Sequence, residues 1–447
     1  MPYAGNCLMS THATGPCDEE LDDYRWLIGE GAASWLRSAV ERIEDIREPA
    51  AALTALNNTL RKHLSPQRAR LVVEQTTLRY RGRRKFTRAH SMFFTGRGLE
   101  QATDEVLARY KATRFPGQVS VSDFCCGIGG DLLALAGRGE VLGVDNDPIV
   151  ALLAAANVDG LASRASPTEV VCRSVTAVAD PLAGPWHIDP DRRPQGHRTT
   201  RIEDHRPSLR EIETLFQASP DGAVKLAPAT TPPPAWQQDA ELEWISRNGE
   251  CKQLVAWFGD LARESGRRVA TIVKGAVGAQ SYGVRSVVAR SGSGQETQAF
   301  AKRIGRYLYE PDAAVLAAGL EMTLANELGL APISSASAYL TGDGELHDEA
   351  VPGFEVIEVL PFRKHRLKQF LAQGRYGRLE VKKRGLRLDA NRLQRELAVP
   401  GDQEATVLVT RVGQRIIAIV AHRIDQHSRD DSPCNAPFGG SPASSDT

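Results

Sequence analysis

One stretch constrains this chain more than any other: VSDFCCGIGGDLLALAGRGEVLGVDND, residues 121–147. An apolar run ends in a glycine-rich turn, a short helical segment follows, and a second apolar run ends on Asp145. Gly127, Gly129 and Gly130 allow a sharp turn and let the backbone approach a ligand with no Cβ in the way. The helix that follows would aim its first amides at that ligand. A carboxylate closing the second strand can accept both hydroxyls of a ribose. The segment reads as a nucleotide-cofactor loop. A glycine-rich turn without a ligand is the blander alternative, but the strand before, the helix after and the acid at the next strand's end argue against it.

Charge separates the candidate cofactors. Asp123 and Asp131 flank the turn; they would repel a pyrophosphate and attract an ammonium and a sulfonium. The spacing also departs from GxGxxG, because Asp131 and Leu132 follow GIGG where a third glycine is needed. Both points favour S-adenosylmethionine, with Asp123, Cys125, Gly127, Gly129, Asp131 and Asp145 as the cofactor-binding set. Cys125 and Cys126 read as small buried lining residues, since no basic neighbour in sequence would lower a thiol pKa.

The surroundings support a doubly wound sheet. Strands are expected at Val119–Phe124, Val141–Asp145, Glu169–Cys172, Trp186–Asp189 and Ala223–Leu226, with helices at Gly130–Ala136, after Asp147–Pro148, and near Leu209–Gln217. Such alternation specifies a mostly parallel α/β sheet. LEWIS (242–246), QLVAWFGDLA (253–262) and RRVATIVK (267–274) would supply two final strands and their connection. Upstream, apolar residues at helical spacing from Leu21 to His63 predict a helical region, and a further helix is expected from Gly98 to Lys111. Residues 275–299 read as a linker or long loop. Beyond them the pattern turns α+β: a helix after Pro311, strands at 354–360 and 378–383, helices at 363–373 and 389–397, and a closing hairpin around Val412–Gly413. Residues 1–17 and 426–447 read as disordered.

At 447 residues the chain has room for two or three domains. Its 55 basic and 55 acidic residues cancel, so any nucleic-acid signal must be local. Seven cysteines without a CxxC pair suit a reducing compartment and offer no structural zinc site or other metal centre. No apolar run approaches the ~20 residues of a membrane span. A cytoplasmic protein is expected, and the sequence does not specify its oligomeric state.

HIDPDRR (187–193) closes the fourth strand, on the edge where open parallel sheets gather their ligands. Asp189, Pro190, Arg192 and Arg193 are therefore the expected catalytic group facing the acceptor. With DFCCGIGGD (123–131), VDNDP (144–148), DPDRR (189–193) and VKLAP (224–228) in fixed order, the chain resembles bacterial class I methyltransferases that carry a THUMP-like C-terminal domain. The resemblance continues through GLEQATDEVLARYKATRF (98–115), YLYEPDAAVLAAGL (307–320), AYLTGD (338–343), FEVIEVLPF (354–362) and RLEVKKRG (378–385). It implies a Rossmann-like class I methyltransferase sheet, a helical N-terminal region, a small α+β C-terminal domain, S-adenosylmethionine binding and methylation of RNA. The domains would run 18–97 (helical), 98–290 (methyltransferase) and 300–425 (THUMP-like, RNA-binding).

Three departures matter. Asp191 and Arg192 replace the Pro and aromatic of the Asn/Asp-Pro-Pro-aromatic motif of base-amine methyltransferases. DPDRR is closer to the DPPR of RNA uridine C5-methyltransferases, yet VKLAPAT (224–230) lacks their nucleophilic cysteine. Many class I enzymes hold adenine with an acid after strand three, where this chain has Arg173 and Ser174.

Charge is locally uneven. Residues 78–88 hold six basic residues and no acid; residues 361–395 hold twelve against Glu380 and Asp389. Such patches bind phosphates through counterion release. Lys382, Lys383 and Arg384 are the expected RNA contacts, and Tyr80 and Phe86 could stack on bases. Solvated helical faces are the simpler reading of either cluster alone. The functional reading is a methyltransferase acting on RNA; a protein or small-molecule methyltransferase, or a non-catalytic RNA-binding protein with a vestigial fold, are the alternatives.

Overall fold

The computed structural model describes residues 18–44, 49–161, 167–177, 184–192, 199–289, 299–335 and 337–424. The termini expected to be disordered lie outside them. The chain divides into two compact units: Met1–Ser293 with Ala313–Leu320, and Gly294–Asp312 with Glu321–Thr447.

The first unit opens with four helices, α1 (Asp18–Ile28), α2 (Glu30–Glu44), α3 (Pro49–Leu60) and α4 (Pro66–Gly82). Pro66 sits in the first turn of α4, and the Ser65 hydroxyl accepts from Arg68 N, a capped start that needs no tertiary help. Two short helices follow, α5 (Gly96–Gln101) and α6 (Glu105–Ala112). One helix was expected from Gly98 to Lys111. It is broken because Asp104 caps α6 by accepting from Val106 N and Leu107 N, a better use of a short carboxylate than a helix interior.

Next come β1 (Val121–Phe124), α7 (Leu132–Ala136), β2 (Val141–Asp145), α8 (Pro148–Leu161), β3 (Thr168–Cys172), β4 (Trp186–Ile188), α9 (Leu209–Ala218), β5 (Gly222–Leu226), α10 (Pro234–Asp239), β6 (Glu241–Arg247), β7 (Glu250–Trp257), β8 (Arg268–Lys274) and β9 (Gly283–Ala289). They form one sheet in the order β3-β2-β1-β4-β5-β7-β6-β8-β9. The first five are mutually parallel, and β7 runs antiparallel to both β5 and β6. This is the class I methyltransferase sheet with two strands added at one edge. QLVAWFGDLA thus contributes a strand rather than a connection, and the supposed loop at 275–299 contains β9. Burial explains the first miss, since Leu254 to Trp257 are all fully buried and show no period-2 alternation.

Asp147 caps α8 as expected, accepting from Ile149 N and Val150 N. Tyr24, Leu27, Leu36 and Leu71 of the helical region bury against Ile149 and Leu153 of α8. Truncating Leu27, fully buried there, to Ala would cost about 2–5 kcal/mol.

β10 (Tyr307–Tyr309) belongs to the second unit, and α11 (Ala313–Ala318) returns to the first. The continuous helix expected after Pro311 is interrupted at Gly319, whose φ of +67° a helix cannot use. The second unit continues with α12 (Glu321–Leu328), β11 (Ala331–Ser334), β12 (Ser337–Gly342), β13 (Gly353–Pro361), α13 (Lys364–Gln373), β14 (Arg378–Lys383), α14 (Ala390–Leu397), β15 (Glu404–Val412) and β16 (Arg415–Arg423). Its sheet order is β11-β12-β10-β13-β16-β15-β14. Period-2 alternation divides β15: Val407 and Val409 pack with Leu367 and Leu393 of α13 and α14, while Leu408 packs with Tyr339 and Phe354. The β15–β16 hairpin is paired through Val412 and Arg415, as its turn signal predicts.

Candidate active site

A cavity of about 580 Å³ opens at the carboxyl ends of β1, β2 and β4. Its floor is the loop after β1. Gly127 and Gly129 have φ of +56° and +91°, and Cys125 between them and β1 is also left-handed at +52°. The glycines adopt that region without penalty; Cys125 does not. No atom lies within 4 Å of where a Gly127 Cβ would stand, so its backbone stays open to the cavity it lines. Asp145 braces this turn from the end of β2, with Gly127 N donating to Oδ2 at 2.9 Å and Asp147 N to Oδ1 at 3.0 Å. Each oxygen retains a lone pair that could take a ribose hydroxyl. Burial pushes the Asp145 carboxyl up from its ordinary pKa, and burial does the same to the Cys125 and Cys126 thiols. Neither cysteine is an activated nucleophile.

Beneath the floor runs a buried chain of charges. Asp123 Oδ1 meets His187 Nδ1 at 2.7 Å, His187 Nε2 meets Lys111 Nζ at 3.3 Å, and Lys111 Nζ pairs with Asp131 Oδ1 at 2.8 Å. Thr103 donates its hydroxyl to Asp131 Oδ2. Burial opposes ionisation of Asp131, but the Lys111 ammonium and then His187 outweigh it and hold the carboxyl well below the usual range. Asp131 lines the cavity, and its carboxylate is engaged by Lys111. Asp123 differs. Its Oδ2 is buried at the cavity with no hydrogen-bond partner among the described residues. A buried orphan acceptor beside an open glycine turn fits the ammonium of an amino-acid moiety.

At the opposite end, Asp189 N donates to Phe124 O at 3.3 Å, so β1 sets where β4 delivers this residue. The Asp189 carboxylate pairs with Lys225 of β5. Burial would pull the Lys225 pKa down, but Asp189 and then Asp131 reverse this and raise it. Pro190 is buried beside Asp189, and Arg192 lines the cavity with Arg97 and Arg206. Arg97 reaches Asp191 at 2.6 Å. Arg193 lies outside the described residues. Lys225, His187, Lys111 and Thr103 were missed by sequence reasoning. The one available signal was a lone cation in the apolar run AVKLA.

The expected RNA contacts are placed differently. Glu310 holds both Lys382 and Arg384 in ion pairs, and Lys383 Nζ donates to Leu386 O. KKR is thus a braced structural segment before it is a phosphate grip. In the other cluster Phe86 is buried against Phe94, so it packs rather than stacks on bases. Arg79 is buried on Met92 O, and Lys85 caps the carbonyls of Leu99, Glu100 and Ala102. Tyr80 stands exposed under the Arg83 guanidinium, with Arg81, Arg84 and Arg88 exposed in the same cluster.

An uncharacterised S-adenosylmethionine-dependent methyltransferase of Mycobacterium tuberculosis is 30% identical over 371 residues, which is 81% of this chain and 98% of the relative; the match recurs in two strains. The chain belongs to this family of S-adenosylmethionine-dependent methyltransferases. Residues 351–423 of the methyltransferase also match the family described as THUMP domain-like. Its fold is shared with the crystal structure of a candidate methyltransferase from Porphyromonas gingivalis W83, at a TM-score of 0.67 and 18% identity, covering 92% of this chain and 100% of that one. Among the described residues, no helix of the methyltransferase is long and apolar enough to cross a membrane.

Proposed function

We propose that this methyltransferase acts on RNA in the cytoplasm, with methyl transfer at the carboxyl ends of β1, β2 and β4. The observation that carries the RNA assignment is the THUMP-like match over residues 351–423 in a chain whose other unit is a methyltransferase sheet. Arg192 and Arg206 line the acceptor end of the cavity, where a guanidinium can meet a phosphate of the acceptor.

Bound S-adenosylmethionine supplies an electrophilic methyl on a sulfonium. The chain's own residues supply position, which is a large share of the barrier in a two-substrate reaction. Asp145 holds the ribose hydroxyls. Asp123 Oδ2 and the backbone of Gly127 and Gly129 hold the methionine end. Asp189, paired with Lys225, would orient the acceptor atom for in-line attack, with Pro190 fixing the turn and Arg192 and Arg193 drawing in a phosphate. The domain boundaries follow the same reading: a helical region over 18–97, a methyltransferase domain over 98–290 and an RNA-binding THUMP-like domain over 300–425.

The test is transfer of tritium from methyl-labelled S-adenosylmethionine into fractionated extract of a strain lacking the protein. Label in the RNA fraction is expected. Label confined to protein or to small molecules would overturn the RNA assignment, and absence of label in every fraction would favour a vestigial fold.

A further inference from the structure

Among the described residues that follow β3, 173–177, none carries a carboxylate. Arg173 there has no acceptor, and the Ser174 hydroxyl is shared with Thr176 at 2.9 Å. Asp147 is engaged too, since its Oδ1 caps α8. Yet with ribose on Asp145, the base must run along the wall made by Asn146, Ile149, Val150 and Val175. Two residues from outside the sheet complete that wall, Glu20 and Tyr24 of α1.

Their position is built, not incidental. Tyr24 and Leu27 pack into the same core as Ile149 and Leu153 of α8, and Arg68 Nε holds Asp23 Oδ1 at 2.7 Å. Glu20 lies one turn before Tyr24, hence on the same helix face. Tyr24 is buried, whereas Glu20 is half-buried and makes no hydrogen bond or ion pair with another described residue.

We propose that α1 completes the adenine subsite: the Tyr24 ring walls the base, and the Glu20 carboxylate accepts a hydrogen bond from its exocyclic amine. This rests on the nucleoside lying along the end of β2, with its ribose on Asp145. The helical region is then part of the cofactor site, and α1 supplies a carboxylate that residues 173–177 do not.

Calorimetric titration of the full chain with S-adenosylhomocysteine and with S-inosylhomocysteine, whose base carries a carbonyl in place of the amine, separates the possibilities. A charge-assisted hydrogen bond should make the wild type prefer the adenine form by roughly tenfold or more. Glu20→Gln can donate to the carbonyl as readily as it accepts from the amine, so the preference should collapse to within about threefold. Glu20→Ala should lose it by weakening the adenine form alone. An undiminished preference in both variants would overturn the assignment to Glu20. Failure of the wild type to bind either ligand would instead overturn the cofactor-site reading beneath it.

Discussion

Lys225, at the end of β5, places its ammonium against the Asp189 carboxylate of the segment after β4, with only 8% of the lysine side chain exposed. Two strands that are neighbours in the sheet but 36 residues apart in sequence thus fix the charge at the acceptor end of the cavity. Removing one member of such a pair leaves the other charge poorly solvated, at a cost of about 3–5 kcal/mol when burial is complete. Lys225→Met should therefore lower stability in denaturant titrations, and adding Asp189→Asn to it should restore a substantial part of the loss. Equal, additive losses would show that the two residues do not interact.

The approach of α5 to the cofactor loop gives a second prediction. A Cβ at Gly98 would stand 2.6 Å from Ile128 Cγ2, and Ile128 lies between Gly127 and Gly129. Overpacking of this kind costs about 1–3 kcal/mol. Gly98→Ala should reduce both the melting temperature and the affinity for S-adenosylhomocysteine. Unchanged affinity would mean that the loop does not depend on α5.

Tyr24 provides a pH dependence. Burial, with Glu74 and Glu20 adding to it, pushes its phenol up to about 12 from 10. Between those values the unfolded chain has lost this proton and the folded chain keeps it. The contribution is present in full below pH 10 and lost as pH rises toward 12. Tyr110, Tyr309 and Tyr339 are raised as well, so the wild type alone does not isolate it. The stability of Tyr24→Phe should fall less steeply than that of the wild type from pH 10 to 12. Parallel curves would place the Tyr24 phenol in water.

Glu310 sets a fourth expectation. It neutralises Lys382 and Arg384 while itself only 11% exposed. Lys382→Ala and Arg384→Ala should each destabilise the second unit by about 1–3 kcal/mol, since both leave a shielded carboxylate less satisfied. The salt dependence of RNA binding should change by less than one phosphate equivalent for each. A full unit change in slope with stability unaltered would return these residues to the phosphate-contact role first read for them.

Much of the sheet was legible because its signals are local. Asp147-Pro148 announces α8, the apolar runs mark β1, β2 and β5, and the Gly413 turn marks the last hairpin. What was hidden depends on partners far apart in the chain. The His187, Lys111 and Asp131 cluster joins β4, α6 and the loop after β1, and no spacing rule links those positions. The KKR segment read as a phosphate grip because Glu310, its partner, stands about seventy residues upstream. β9 was obscured by glycine and serine around it, which mark loops by composition even where a strand pairs.

The central claim is that the cavity at the ends of β1, β2 and β4 is the cofactor site, with Asp145 on the ribose. Calorimetry with S-adenosylmethionine and NAD, on the wild type and on Asp145→Asn, tests it most directly. The account predicts one site for S-adenosylmethionine, no measurable binding of NAD, and roughly tenfold or greater weakening by Asp145→Asn through loss of charge-assisted hydrogen bonds. Binding of NAD at comparable affinity, or S-adenosylmethionine affinity untouched by Asp145→Asn, would contradict it.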